Sequence, residues 1–480
     1  MIINTYTEAE IRQLFERCIY KNTEHVPEYK NYLLTFLFFK YINDSNEFTI
    51  SETSSYQYVY ENLDKNELGQ ILNNALIEIE IDNSEELNGL FKEIDYTSER
   101  VLGTIDQRNN TLRMLIEGFK YINLDNNHID TASLGSIFRR LIEDFPSFNR
   151  RKNDYLVPTP EDISYLIAKL VEPKEEDTIY DPTVGSGSLL IKVAEEIESK
   201  KFYLYAQEKN RNMYDLCKMN IIINGMFNNI NALEWKDTFA NPLIKKENNE
   251  LMKFKVIVSH IPFFEKNWWK SETDPMLDTC NRFHKEVSKL NKGDYAFISH
   301  IVSTMDEQDG RAAVIVPHGV LFRIGIEADI RKDLIEEDLI EAVIGLPSNL
   351  LYSTSIPVSI IIFNKKRKRK GILFIDASKD FINNRAKNKL SEDNIRKIVT
   401  TYKECKTEIR YSSLISKEEI RKNDYNLNIT RYIDTFISTS KKENVNTDDI
   451  NKEIASLEKE ISETQEKLEG YLSELIKLKK

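Results

Sequence analysis

Thr178-Ile179-Tyr180-Asp181-Pro182-Thr183-Val184-Gly185-Ser186-Gly187-Ser188-Leu189-Leu190 is the stretch on which the reading of this chain turns. Its first three residues form a short apolar run, the mark of a buried strand. The run ends in Asp181-Pro182, and the turn that follows carries Gly185 and Gly187. From Ser188 onward, Leu189, Leu190, Val193, Ala194 and Ile197 recur at helical spacing. A strand, a glycine turn and a helix start form a place where backbone N–H groups point at an anion or polar ligand. The glycines let the backbone approach that ligand with no Cβ in the way. Such a turn also serves merely to close a βα unit, so the neighbours decide.

Downstream, Phe202-Tyr203-Leu204-Tyr205-Ala206-Gln207 reads as a second strand ending in Glu208. An acidic residue about 20 positions past a glycine turn, at a strand end, is where doubly wound folds hold ribose hydroxyls. A helix over 211–224 follows, and Asp237 lies in a Lys236-Asp237-Thr238 loop. Phe254 to Ser259 makes another buried strand, which runs into His260-Ile261-Pro262-Phe263-Phe264. Helices over 294–305 and 326–336 then alternate with strands over 312–316 and near 339–344, 357–363 and 371–376. This alternation predicts an α/β fold with a mostly parallel sheet and ligands at the carboxyl ends of its strands. Asp181, Glu208, Asp237 and His260 all follow strands, which places them on one rim. That convergence outweighs any single motif.

Upstream, residues 1–125 read as a separate helical domain. Tyr29 to Ile42 is apolar almost all round, as a buried helix must be. Amphipathic stretches near 67–80 and 110–122 carry no catalytic constellation, so packing or docking is the expected role. Leu134, Ile137, Phe138, Leu141, Ile142 and Phe145 share one helical face. A basic loop, Asn149 to Asn153, then leads to Tyr155-Leu156-Val157-Pro158-Thr159-Pro160. Pro160 suits the first turn of the next helix, with Thr159 as its N-cap. Lys365 to Lys370 is six cations in a row between two strands: a solvated hairpin loop, or a loop that contacts phosphate. Residues 444–480 space Ile450, Ile454, Leu457, Ile461, Leu468, Tyr471, Leu475 and Leu478 as a heptad seam. A single seam needs a partner.

With 480 residues the chain has room for two or three domains. Its 41% hydrophobic and 30% charged content is that of an ordinary soluble protein. No stretch offers the roughly 18 uncharged apolar residues of a membrane span. The start, MIINTYTEAE, lacks the regions of a signal peptide. Four scattered cysteines with no CxxC suit a reducing cytoplasm and argue against a structural zinc, so no metal is expected. A net charge of −12 does not advertise nucleic-acid binding. If the chain handles DNA, a local basic face or a partner must supply much of the phosphate contact.

The order of these pieces resembles the modification subunit of type I restriction–modification systems, an N6-adenine DNA methyltransferase family. The resemblance covers roughly residues 15–435 and rests on EYKNYLLTFLFFKYIND, LGSIFRRLIEDF with TPEDI, DPTVGSGSLLI, and AQEKN followed by CKMNIIINGM. Its longest part is GRAAVIVPHGVLFRIGIEADIRKDLIEEDLIEAVIGLP, followed by FIDAS and DYNLNITRYID. It implies a Rossmann-like S-adenosylmethionine-dependent methyltransferase domain over 126–437, an N-terminal helical domain over 1–125 and a C-terminal coiled-coil assembly helix over 438–480. It further implies that Asp181, Gly185, Ser186 and Gly187 cradle S-adenosylmethionine, that Glu208 takes its ribose hydroxyls, and that Asp237 contacts its adenine. Thr159 and Pro160 match the segment that closes over the methionine end. The implied partners are DNA, a specificity subunit, a second copy of this subunit and, in some systems, a restriction and motor subunit. The implied location is the cytoplasm.

One motif departs. The family pattern is Asn-Pro-Pro-Phe or Asn-Pro-Pro-Tyr, and the aligned residues are His260-Ile261-Pro262-Phe263. An adenine must be flipped out of the duplex before its amino group is reachable. In the family the asparagine oxygen and the next backbone carbonyl accept the two amino hydrogens, while the aromatic ring stacks on the base. Phe263 keeps the platform, and Ile261 still offers a carbonyl. His260 accepts through one ring nitrogen when neutral, and a protonated imidazole offers no acceptor. At the ordinary pKa of about 6.5, that acceptor would be lost as pH falls through the region. Three readings stay open: an active methyltransferase with an unusual acceptor, an impaired pseudo-methyltransferase that binds DNA and partners, and another Rossmann-like enzyme such as an oxidoreductase.

Overall fold

The computed structural model describes residues 2–21, 29–144, 158–245, 250–263, 268, 278–283, 287, 290–352, 354–367, 369–384 and 387–434. The chain divides into two units, Met1–Asp434 and Thr435–Lys480. The second unit, with the heptad seam of 444–480, lies outside the described residues, as do the loop at 149–153, Tyr155 to Val157, and Phe264.

Among the described residues nine strands make up the sheet: β1 (Thr178–Asp181), β2 (Tyr203–Glu208), β3 (Ile230–Trp235), β4 (Val256–His260), β5 (Arg311–Pro317), β6 (Ile340–Gly345), β7 (Val358–Asn364), β8 (Ile372–Asp376) and β9 (Ser412–Ile415). Their order is β3-β2-β1-β4-β5-β7-β6-β8-β9. Strands β3, β2, β1, β4 and β5 are mutually parallel. Strand β7 runs antiparallel to β5 and β6, and β9 antiparallel to β8. From β1 the chain moves outward to β2 and β3, then returns to place β4 on the other side of β1. That reversal opens a crevice above the carboxyl ends of β1 and β4, where open α/β sheets take their ligands.

The central strands are buried on both faces, so they read as continuous apolar runs. Alternate residues still divide between two cores, because successive side chains point to opposite faces. Ala313 and Ile315 join a core with the helices Glu161–Val171, Ser188–Ala194 and Glu392–Glu404. Val314 and Val316 join another core with the helices Asp294–Thr304 and Ile326–Glu336. Helices of the first 144 residues form a third core. Its helix Tyr29–Asp44 buries twelve residues, Tyr32, Phe36 and Phe39 among them. Met213, Leu216, Met219 and Ile222 of the helix Arg211–Ile223 belong to that third core, whereas Cys217 and Ile221 face the sheet. This helix is apolar on two faces because it serves two cores.

Pro160 is the N-cap of the helix Glu161–Val171, with no side-chain cap bond. Thr159, expected as that N-cap, sends its hydroxyl elsewhere. Strands β3 and β9 carry weak sequence signals. β3 leaves most of its residues half-buried or exposed, and β9 spans only four residues.

Candidate functional site

Four adjacent strands, β3, β2, β1 and β4, bring their carboxyl ends together, and with them Asp237, Glu208, Asp181 and His260. The turn after β1 is pinned to β2 by Val184 N–H donating to the Gln207 carbonyl at 3.1 Å. Gly185 and Gly187 adopt φ of +56° and +82°, a region that side-chain-bearing residues avoid. A Cβ on Gly187 would lie 2.9 Å from Cys217 Sγ, so the glycine permits close packing of turn on helix. Among the described residues, a Cβ on Gly185 would meet only Met213 Cε at 3.9 Å, so this glycine borders space that they leave open. That open, side-chain-free edge is what a cofactor laid along the turn requires.

Glu208 closes the cradle. Its Oε2 accepts from Gly185 N–H at 3.0 Å and its Oε1 from Asn210 N–H at 2.7 Å. Each carboxylate oxygen has acceptor capacity beyond one bond, which suits a pair of hydroxyl donors. Burial raises the Glu208 pKa against the lowering effect of those backbone bonds. Asp181 is 1% exposed and accepts from Thr183 N–H at 2.9 Å. Desolvation pushes its carboxyl up to about 8. A group held in this way gains a great deal from a nearby cation. Ser186 is buried; its hydroxyl meets that of Ser188 at 3.1 Å, and its carbonyl accepts from Asn220 at 2.9 Å. Its contacts build the turn from within.

The Asp237 loop is fastened from three sides. Asp237 Oδ1 accepts from the N–H groups of Phe239 and Ala240 at 2.8 and 3.3 Å. Thr238 donates to the Pro182 carbonyl at 2.5 Å. Below it, Arg282 donates to the carbonyls of Thr238 and Phe239 at 3.0 and 2.7 Å, with its charge met by Asp278 at 2.8 Å. Arg282 also lies 3.2 Å from His300 Nδ1. An arginine only donates, so His300 Nδ1 accepts and its Nε2–H reaches Tyr180 Oη at 3.0 Å. Tyr180 donates on to Gln207 at 2.7 Å, and Gln207 donates to the Asn241 carbonyl at 2.7 Å. The chain of donors is complete and points one way, from Arg282 back to the loop at Asn241. Gln207, 0% exposed within an apolar strand, is the residue that sequence reading passed over. The large majority of buried amides have a partner.

At the end of β4 the site changes character. Ile261 is buried against the sheet core, while Pro262 and Phe263 are half-buried. The His260 and Phe263 rings lie 5.1 Å apart at 58°. His260 Nδ1 is 3.0 Å from Thr159 Oγ1. Burial holds the His260 pKa down at about 4, so the ring is neutral at pH 7. The expected titration near 6.5 is therefore displaced, because the half-buried ring gives up part of its water. Thr183 ties the two halves together, with its hydroxyl 2.7 Å from that of Ser259. Neither residue stands out in the sequence except as a small polar residue beside a strand end.

The basic run lies elsewhere. Because β7 is antiparallel to β5, its end at Asn364 pairs with Arg311, the start of β5, on the edge opposite His260. Lys365 pairs with Glu307 at 2.7 Å, Arg367 pairs with Asp338, and Arg369 donates to the Lys403 carbonyl at 2.9 Å. Among the described residues, this run is not the expected hairpin: β6 lies between β7 and β8, so the run crosses the start of β6, with Lys365, Arg367 and Arg369 paired outside it. No helix among them is long and apolar enough to cross a membrane.

A sheet of this order, with a glycine turn after β1 and an acidic residue ending β2, defines a Rossmann-like methyltransferase that uses S-adenosylmethionine. Residues 129–442 match the N-6 DNA Methylase family model, and residues 25–119 match the HsdM N-terminal domain. The chain is 32% identical over 464 residues to the type I restriction enzyme MpnII methylase subunit of Mycoplasma pneumoniae, covering 90% of this chain and 82% of that one. It is 31% identical to the MjaVIII methylase subunit of Methanocaldococcus jannaschii, over 92% of this chain and 81% of that one. The crystal structure of a type I methyltransferase subunit from Streptococcus thermophilus superposes with a TM-score of 0.79 at 28% identity, covering 90% of this chain and all of that one. This chain belongs to the N-6 DNA methylase family, as a modification subunit of a type I restriction–modification system.

Proposed function

We propose that this subunit transfers a methyl group to adenine N6 in DNA weakly, because His260 stands where the family places an asparagine. The observation that supports the proposal is a contact: His260 Nδ1 lies 3.0 Å from Thr159 Oγ1, which leaves one ring nitrogen to meet a base. When bound, S-adenosylmethionine supplies an electrophilic methyl group on a sulfonium centre. Gly185 and Gly187 give it a side-chain-free edge, Glu208 accepts its ribose hydroxyls, Asp237 meets its adenine, and Asp181 answers its positive charge. Thr159 and Pro160, with Ser186 supporting the turn, border the methionine end. Phe263 offers a stacking face to the flipped base, with Pro262 stiffening the turn and the Ile261 carbonyl as one acceptor. His260 supplies at most one further acceptor, less well aimed than an amide oxygen.

Removing one well-placed group at a reacting centre costs on the order of a hundredfold in rate. Tritiated methyl transfer to DNA carrying the recognised site, with the cognate specificity subunit present, is therefore expected to be slow. His260→Asn should raise it by about that factor. Because Ile261 is buried, the single change comes before His260→Asn with Ile261→Pro. A wild-type rate that His260→Asn lowers would show the imidazole to be a competent replacement. Complete absence of transfer in both would favour the second reading, an assembly subunit that has lost the chemistry.

We further propose a three-part division: a helical domain over 1–125, the methyltransferase domain over 126–437 and an assembly helix over 438–480. The partners proposed are DNA, the specificity subunit, a second copy of this subunit and a restriction subunit, in the cytoplasm. The heptad seam supports the assembly role, since one apolar seam on one helix needs a partner. Truncation after Ser440 should leave cooperative unfolding intact and reduce co-purification with the specificity subunit about tenfold or more. Unchanged co-purification would refute the assembly role.

A further inference from the structure

The Thr159–His260 contact carries more than packing. A neutral imidazole has one nitrogen that donates and one that accepts, and the partner of the first decides the role of the second. Thr159 is 7% exposed, and its hydroxyl lies 3.0 Å from His260 Nδ1. Among the described residues this hydroxyl has no other hydrogen-bond partner. If Nδ1 carried the ring proton and donated to Oγ1, the hydroxyl hydrogen would be left without an acceptor in a shielded place, at the cost of an unmade hydrogen bond. The opposite arrangement satisfies both of these groups and leaves the orphan proton on Nε2, which is not fully buried and can be met by water.

We propose that Thr159 is a positioning residue that donates to His260 Nδ1 and so fixes the ring as its Nε2–H tautomer, leaving a donor where the reaction needs an acceptor. The inference rests on the reading of His260 as the residue that meets the base. It deepens that reading by locating the impairment in the tautomer and not in the charge. The ring is already neutral at pH 7, so protonation cannot be what withholds the acceptor. An adenine amino group brings hydrogens, and Nε2–H repels them. To accept, the ring must move its proton to Nδ1, and the hydroxyl of Thr159 must turn away. The Thr159 bond opposes that inversion. The same Nε2–H suits a base edge or backbone oxygen that accepts.

The test reads the tautomer directly. The full chain labelled with 15N-histidine is compared with its His260→Asn variant, which assigns the His260 signals by their disappearance. Long-range proton–nitrogen correlation is expected to show a protonated Nε2 and an unprotonated, hydrogen-bonded Nδ1. Thr159→Val should shift the Nδ1 resonance and raise methyl transfer about tenfold, the ratio set by one ordinary hydrogen bond. Thr159→Ser, which keeps the hydroxyl, should retain the wild-type tautomer and the wild-type Nδ1 resonance. A protonated Nδ1 in the wild type overturns the proposal whatever the transfer assay shows. A Thr159→Val rate equal to or below wild type, with transfer measurable, overturns the claim that the hydroxyl limits acceptance. If no variant transfers methyl while Nε2 is protonated, the tautomer assignment stands and the methyltransferase reading fails instead.

Discussion

The two halves of the rim are built on different principles. On the cofactor side, from β1 to β3, the groups that matter are held by backbone: Glu208 accepts from Gly185 and Asn210 N–H groups, and Asp237 from Phe239 and Ala240. On the proposed base side, at the end of β4, the group in question is a side chain, His260, in contact with another side chain, Thr159. Backbone donors keep their positions as long as the glycines and strand ends do, whichever side chains lie around them. A hydrogen-bond acceptor aimed by one side chain has no such tolerance. The first half can stay intact while the second drifts.

The comparison breaks if the cofactor half is damaged and nothing follows. Gly185→Asp with Glu208→Ala should lower S-adenosylmethionine affinity by on the order of a hundredfold or more. The aspartate would bring a Cβ to φ of +56° and a charge into the open edge, while loss of Glu208 removes the partner of Gly185 N–H. Calorimetry on the complex with its specificity subunit measures this. Equal binding by wild type and variant would put the cofactor elsewhere, and wild type that never binds would remove the cofactor claim.

How much of this was legible beforehand follows the same divide. The strand–glycine–helix pattern at 178–190 and the apolar strands near it gave the sheet, since central strands buried on both faces leave a continuous apolar trace. Strand β3 escaped because it is an edge strand with half-exposed residues, so no apolar run announces it. The rim residues were readable as residues that follow strands. The Arg282–His300–Tyr180–Gln207 relay was not, because its members lie far apart in sequence and meet only when the sheet and the helix Asp294–Thr304 pack. The Thr159–His260 pair spans 101 positions for the same reason. Thr159 looked like a helix cap because local sequence cannot show a competing distant partner. The titration of His260 also escaped, because desolvation is a property of the packed site alone.

A smaller effect sharpens the electrostatics of the cofactor half. Asp181 is lifted from 3.8 to about 8 by burial, with the Glu208 charge nearby adding to the rise. A raised carboxyl has the opposite sign from a salt-bridged one. The unfolded chain releases this proton near 3.8 while the fold keeps it, so Asp181 subtracts stability progressively as pH rises from there to about 8. A bound cation reverses the preference and expels the proton. Affinity for S-adenosylmethionine is therefore expected to rise about tenfold between pH 6.5 and 8 and to level off above, with proton release seen as a dependence on buffer ionisation enthalpy. Asp181→Asn should flatten the slope. An unchanged slope in that variant would assign the proton to another group.

The smallest expected effect, close to none, falls on the base half. A solvated imidazole with a pKa of about 6.5 would lose most of its neutral form by pH 6, which predicts a fall in rate of about fourfold from pH 8.5. His260 is held at about 4 by desolvation, so its neutral fraction barely changes over that range. Wild type and His260→Asn should therefore show pH–rate profiles of the same shape between pH 6 and 8.5, with any difference below about twofold. The displaced proton appears in stability instead. Between about 6.5 and 4 the unfolded chain binds a proton at this position that the fold refuses, so wild-type stability falls as pH drops through that window. His300 and His318 are lowered by burial as well and act in the same direction, so the comparison with His260→Asn is what isolates the one ring. Thermal melts at pH 7 and pH 5 should show wild type losing more than the variant. A wild-type acid limb near pH 6.5 that His260→Asn abolishes would mean that water reaches the ring, and that charge rather than tautomer sets its role.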